Sequence, residues 1–280
     1  MCEWCKEHGD GKKWYLNIKN FSRDLLKDDA VVQAANDYFQ NVECASGMAV
    51  PMTPELLKLR NDKEFSQSVE ATRQLVSMYV PQKGQVIPIE DATKVIELSG
   101  PIAKVSCVCR RMLRADFDEK TCIMLGPVYL EYGGQWPDHI RNGINYISKE
   151  EAIEEIENFN EKGYVHNVFR DYNSPAMFGI CNCEFPTCNA IRNRRYYGDW
   201  LNFFLKKSEY VIRQYYGRCI GCGDCIKRCQ FSAITYSPYM EKAIFDMKKC
   251  AGCGLCRNVC EQKAIKLVSR EDVPAVKRLW

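Results

Sequence analysis

The chain has 280 residues, 46% of them hydrophobic and 27% charged, with a net charge of +3. That is enough apolar material for one large domain or two ordinary ones with a real core, and it excludes a mainly disordered chain. A charge so near neutrality excludes a strong overall field for nucleic acid, and no apolar run reaches the length of a membrane span.

In chain order, residues 1–84 are expected to be mainly helical. "CEWCKEHG" places Cys2, Cys5 and His8 within seven positions, a spacing for three ligands of a zinc site that Cys44 would complete. An uninvolved terminus is the alternative. Residues 21–40 predict a helix with Ser22 as cap. "VPMTPELLKLRN" predicts a second helix start, with Thr53 as cap and Pro54 at the first helical position, running to Tyr79. "EDATKVIELSG" reads as a shorter helix ending at Gly100.

Residues 85–210 read as a mixed domain of α+β or α/β class. "PIAKVSCVC" and "TCIMLGPVYLEY" are apolar and bounded by turn formers, which predicts two strands. "SKEEAIEEIENFNEKG" is the clearest helix: Ser148 and Glu151 make a capping box, Ile153, Ile156 and Phe159 line one face, and Gly163 ends it. "YVHNVFRDY" and "PAMFGICNC" follow as strands, with His166 read as a core histidine bonded to backbone. The aromatic, basic segment 191–217 is expected to link this domain to a third one over residues 211–268, followed by a tail over residues 269–280.

Seventeen cysteines dominate the composition. They crowd into short clusters behind a polar, charged start, which favours metal ligation in a reducing, cytoplasmic setting over disulfides, and suits a cell that avoids oxygen. Six of them, Cys107, Cys109, Cys122, Cys181, Cys183 and Cys188, fall in the mixed domain. The two thiols of a strand-borne Cys-x-Cys are expected to diverge, so each pair gives one thiol, or two, to a shared site. Cys109, Cys122, Cys183 and Cys188 make one set of four, and any four of the six remain open; buried free thiols and a redox disulfide are the alternatives. Arg110, Arg111, Arg114, Arg192, Arg194 and Arg195 flank the set. They are expected to form a solvated basic face for an acidic partner, with a pocket for an anionic ligand as the alternative.

The strongest signal is a repeat. Cys219, Cys222, Cys225 and Cys229 share the spacing Cys-x2-Cys-x2-Cys-x3-Cys with Cys250, Cys253, Cys256 and Cys260. Three thiolates of such a run wrap one cluster, and the fourth reaches the other. This predicts one [4Fe–4S] cluster on Cys219, Cys222, Cys225 and Cys260, and a second on Cys250, Cys253, Cys256 and Cys229. Zinc prefers cysteine pairs separated by a longer loop, which makes two zinc sites the weaker reading.

These residues resemble the bacterial two-cluster ferredoxins over about residues 210–268, with "AITY" and "KAIFDMKKC" as a hairpin and "AIKLV" as a further strand. The family has proline after the fourth cysteine of each run; Gln230 and Glu261 stand there instead. Upstream, "CVCRR", "TCIMLG", "GYVHNVF" and "GICNC" resemble a cysteine-rich domain that precedes ferredoxin modules in iron–sulfur proteins of anaerobes. That resemblance implies a third site, an iron–sulfur cluster or zinc. It also matches the segment around Cys2 and Cys5.

Neither G-x-G-x-x-G nor a phosphate-cradling G-x-x-x-x-G-K-[ST] occurs. The function expected is therefore electron transfer: a carrier or subunit passing low-potential electrons through two [4Fe–4S] clusters, by way of a third where one exists, to a partner redox enzyme. Lys227, Arg228, Lys248 and Lys249 are expected to dock that partner. The alternative is an oxidoreductase with its own substrate site at the upstream cysteines and arginines.

Overall fold

The computed structural model describes residues 13–37, 62–64, 67, 82–114, 118–136, 143–171, 176–197 and 205–279. Cys2, Cys5, His8, Cys44 and the helix expected from Thr53 to Tyr79 lie outside the described residues, apart from a few helical positions at 63, 64 and 67.

Helices and a mixed sheet make the fold α+β. Seven strands, β1 (Gln82–Ile87), β2 (Ile102–Val105), β3 (Cys122–Leu125), β4 (Asn145–Tyr146), β5 (Val165–Asp171), β6 (Met177–Cys183) and β7 (Leu205–Lys206), form one sheet. Its order is β4-β2-β3-β6-β5-β1-β7. Every pair is antiparallel except β1 with β7.

Two helices cover one face: α1 (Ile89–Leu98) and α4 (Lys149–Lys162). Val95, Ile96, Ile156 and Phe159 meet Ile123, Leu125, Val168 and Ile180 there, all buried. The α4 cap forms as the sequence requires: Glu151 N–H donates to Ser148 Oγ at 3.1 Å, and Ser148 N–H to Glu151 Oε2 at 2.7 Å. Gly163 ends it in the left-handed conformation.

The opposite face carries α2 (Val108–Arg114), α3 (Pro127–Leu130) and α5 (Asn189–Tyr197). Its core includes Ala103, Met124, Val165, Cys183, Cys188 and Ile191.

Several expected elements change here. Ser22 accepts a hydrogen bond from Asp24 N–H, but the turn it caps is a 3-10 turn over Arg23–Lys27, and α-helix begins only at residue 29. The strand in "PIAKVSCVC" stops at Val105, so Cys109 sits in a helix, α2. "TCIMLGPVYLEY" is a strand only to Leu125; Gly126, with φ at 83°, turns the chain and Pro127 opens α3. The basic segment after residue 190 is less a linker than part of this fold, contributing α5 and β7.

The C-terminal module has two small sheets. β8 (Tyr210–Gln214) pairs with β11 (Ile265–Ser269), and β9 (Ile234–Ser237) with β10 (Lys242–Phe245), all antiparallel. The short helices α6 (Asp224–Arg228) and α7 (Leu255–Asn258) follow the two cysteine loops. The last residues are anchored by Arg270, which is fully buried and donates to the carbonyls of Ser208, Tyr210 and Cys250 at 2.8, 2.9 and 3.3 Å.

Candidate metal centres

The two cysteine loops of the module are built alike. Gly221 and Gly252 take φ of 76° and 75°, and a Cβ on either would meet a carbonyl oxygen, of Glu241 at 2.2 Å or Tyr210 at 2.1 Å. Only glycine lets each loop lie that close to its neighbouring backbone. Ala233 N–H donates to Cys229 Sγ and Ala264 N–H to Cys260 Sγ, both at 3.3 Å. Such N–H···S bonds hold negative charge on a ligating sulfur.

Two cavities open between these loops. One, of about 100 Å³, is lined by Cys219, Cys222, Cys225 and Cys260. The other, narrower at about 20 Å³, is lined by Cys229, Cys250, Cys253 and Cys256. Each cavity thus draws three thiols from one run and the fourth from the other. Burial, with the neighbouring Cys222, Cys219 and Cys260, pushes the Cys225 thiol up to about 11. Burial, with Cys229 and Cys250 nearby, pushes Cys253 up to about 12 despite a hydrogen bond from Leu255 N–H. Thiols so crowded and dry ionise only when a cation supplies the opposing charge, and iron does so. The donor set, four soft sulfurs per cavity with backbone N–H groups aimed at them, fits a [4Fe–4S] cluster.

The six cysteines of the sheet domain meet on the face opposite α1 and α4. Cys107 and Cys109 lie past the end of β2, at the start of α2, so no strand separates them. Cys181 and Cys183 both lie on β6, and residues two apart on a strand share a face. The expectation that a Cys-x-Cys would diverge is therefore corrected for both pairs. Cys107 makes thiol hydrogen bonds with Cys109, Cys122 and Cys183, and Cys188 makes them with Cys109 and Cys183. The contacts close a ring through Cys107, Cys109, Cys188 and Cys183. Cys122, expected from the sequence in one set of four with Cys109, Cys183 and Cys188, joins this ring through Cys107. Cys122 pairs with Cys181 across the strands, Sγ to Sγ 3.6 Å. All six thiols are free of disulfides. Hydrogen bonds from neighbouring thiols hold Cys107 and Cys188 well below the ordinary thiol range against the opposing effect of burial. The same hydrogen bonds, with burial, push their partners Cys109 and Cys183 well above that range.

Among the described residues, no group of three or more His, Cys, Asp and Glu side chains stands at the distances of a bare metal ion's ligands, and this holds for the ferredoxin loops as well as the ring.

The arginines depart from a solvated basic face. Arg110, Arg111 and Arg194 are buried. Arg110 pairs with Glu119 at 2.6 Å and Glu184 at 3.5 Å, and lies over the Tyr164 ring. Its charge raises the negative-charge tolerance of Cys183 and Cys107 beside it. Arg194 donates to Leu205 O, and Arg195 stacks on Phe185 at 3.9 Å. His166 is buried and bonds the Asn182 side chain at 2.7 Å, not backbone; burial pushes its pKa down to about 4, so it is neutral.

The narrower cavity faces the sheet domain. Phe231, Ala251 and Leu255 share one apolar cluster with Cys183, Cys188 and Ile191, and Cys229 and Cys253 pack against it. Gln230 spans the junction: its Oε1 accepts from Phe185 N–H at 3.0 Å and its Nε2 donates to Gly163 O at 3.1 Å. Arg228 donates to Glu161 O, and Arg257 pairs with Glu90 at 2.7 Å. Arg228 therefore belongs to the junction, not to an outer docking face. Nothing in the sequence alone marked Gln230 except that it stands where the ferredoxin pattern has proline. The wider cavity lies at the outer end, with Cys222 exposed and Ile220 67% exposed.

A family model described as a 4Fe-4S dicluster domain matches residues 218–265. No curated protein and no solved structure matches the chain. The match supports an iron–sulfur, ferredoxin-like module with an electron-transfer role, and covers both cysteine runs. Among the described residues, no helix is long and apolar enough to cross a membrane.

Proposed function

We propose that this chain is an electron-transfer protein whose two [4Fe–4S] clusters form an outer and an inner station. Cys219, Cys222, Cys225 and Cys260 hold the outer cluster; Cys250, Cys253, Cys256 and Cys229 hold the inner one. The observation that carries this is the lining of the two cavities, each by three thiols of one run and the fourth of the other. When bound, the clusters supply one-electron chemistry at each station. The exposed loop around Ile220 and Cys222 meets a redox partner protein, and Lys248 and Lys249 remain exposed beside the inner loop to steer it.

The sheet-domain cysteines, with Cys107, Cys109, Cys183 and Cys188 in mutual contact, supply the ligands of a third site, an iron–sulfur cluster or zinc. The buried Arg110 beside the ring offsets its negative charge.

The test is low-temperature EPR of the reduced protein. We expect two interacting cluster signals, with Cys260→Ala removing the cluster of Cys219, Cys222 and Cys225. Loss of only the cluster at Cys250 would overturn the crossed assignment. A second reading, an oxidoreductase fed by these clusters, is favoured by one observation: two partly exposed thiols lie beside the ring but outside it.

A further inference from the structure

Of the six thiols gathered against the sheet, Cys122 and Cys181 stand directly opposite each other on neighbouring strands. We propose that these two form a redox-active dithiol–disulfide pair, the station where single electrons from the C-terminal module are combined in twos for a disulfide substrate. Its supply of electrons rests on the electron-transfer reading above; the pair itself rests on geometry.

Cys122 on β3 stands directly opposite Cys181 on β6. Asn182 N–H donates to Thr121 O at 3.0 Å beside them, which makes Cys122 and Cys181 a non-hydrogen-bonded pair of the ladder. Side chains approach most closely at such positions, with Cα atoms about 4.5 Å apart, inside the range a disulfide spans. The sulfurs already lie 3.6 Å apart and both are free thiols. A bond at about 2.0 Å needs side-chain rotation, not strand movement. Both residues are partly exposed, as is Cys109 of the ring, while Cys107, Cys183 and Cys188 are buried. Cys122 also hydrogen-bonds Cys107, so the pair adjoins the ring that packs toward the inner cluster.

The chemistry balances. One thiolate of the pair attacks a sulfur of the substrate disulfide, the substrate S–S bond breaks, and the first substrate thiol leaves. The second cysteine thiolate then displaces the other substrate sulfur from the mixed disulfide, closing the Cys122–Cys181 bond. The substrate has gained two electrons and two protons, and the pair has lost them. Regeneration breaks the Cys122–Cys181 bond with two electrons, one drawn from each reduced [4Fe–4S] cluster, and two protons from water. Two one-electron stations in one module match a two-electron couple. The substrate class is a disulfide with a sulfur free to reach a partly exposed strand pair.

The experiment uses the full chain, purified without oxygen with its clusters in place. The protein is treated with a small aliphatic disulfide, denatured, alkylated and mapped by peptide mass spectrometry. We expect a cross-linked peptide joining Cys122 to Cys181 and two fewer alkylated thiols. Reducing the clusters with limiting dithionite should open the cross-link, with the reduced-cluster EPR signals decaying by two electrons per disulfide. Cys122→Ser and Cys181→Ser should each abolish the cross-link and leave iron, sulfide and other metal content unchanged. Loss of metal in either variant would make that cysteine a ligand and overturn the proposal, as would no cross-link in the unaltered chain. A cross-link that yields to dithiothreitol but not to reduced clusters would overturn the link to the module, placing the failure in the electron-transfer reading and not in the pair.

Discussion

In the C-terminal module eight thiols line two cavities, while in the sheet domain six thiols are linked by contacts with one another. The loops explain the difference. Glycines at positive φ let each ferredoxin loop press against a neighbouring backbone carbonyl, and its cysteines line a cavity. In the sheet domain the cysteines come from a helix start, a strand end and the turn that follows, and they converge on a point. The first arrangement suits a cluster that brings its own iron and sulfide; the second gathers thiols for the third site proposed above, an iron–sulfur cluster or zinc. The same residue type serves both because backbone geometry sets how far apart the sulfurs stand.

The largest effect that would break this comparison is loss of a cluster. Cys260→Ala should remove about half of the iron and sulfide, and the lost cluster should be the one at Cys219, Cys222 and Cys225. Iron and sulfide analysis with EPR checks this. Next, Cys109→Ala should cost the sheet domain the metal of its third site and leave both module clusters in place. Metal analysis of that variant decides it, and module clusters lost with that metal would mean that the two regions do not fold separately.

A smaller effect belongs to Glu209, where the regions meet. Gln85 of β1 donates to its Oε1 at 3.1 Å, and burial raises its pKa to about 7. A carboxyl raised above its unfolded value keeps its proton longer in the folded chain. Its contribution is therefore fully present below about pH 4.5 and is lost as pH climbs through about 7, by at most about 3 kcal/mol. Glu209→Gln should flatten that loss, read as unfolding midpoints at pH 6 and pH 8. The smallest effect sharpens the junction. Gln230→Ala leaves Phe185 N–H without its acceptor and should cost about 1–2 kcal/mol, with metal content unchanged, as measured by thermal unfolding.

Local signals in the sequence carried much of this. The capping box at Ser148 and Glu151, the glycine stop at Gly163 and the hairpin between the cysteine runs depend on neighbours a few residues apart, and all form. The eight ferredoxin cysteines were legible because their spacing encodes their geometry. The sheet-domain thiols were not. How Cys107 and Cys122 meet the other thiols depends on where β2 ends and on the register of β3 against β6, which pairs residues 59 apart. The short 3-10 turns near Ser22 and the helix after Gly126 were missed because apolar runs of that length read equally as strand or helix. Gln230 looked like a weakened turn, since its partners at Phe185 and Gly163 are distant in sequence.

The most direct measurement is iron, zinc and acid-labile sulfide per chain on protein purified without oxygen. We expect at least about eight irons matched by about eight sulfides for the two module clusters, plus the metal of the third site: about twelve of each for a cluster, or about eight with one zinc. Clearly fewer than about eight irons and sulfides would contradict the two-cluster account, and about eight with no further metal would contradict the third site.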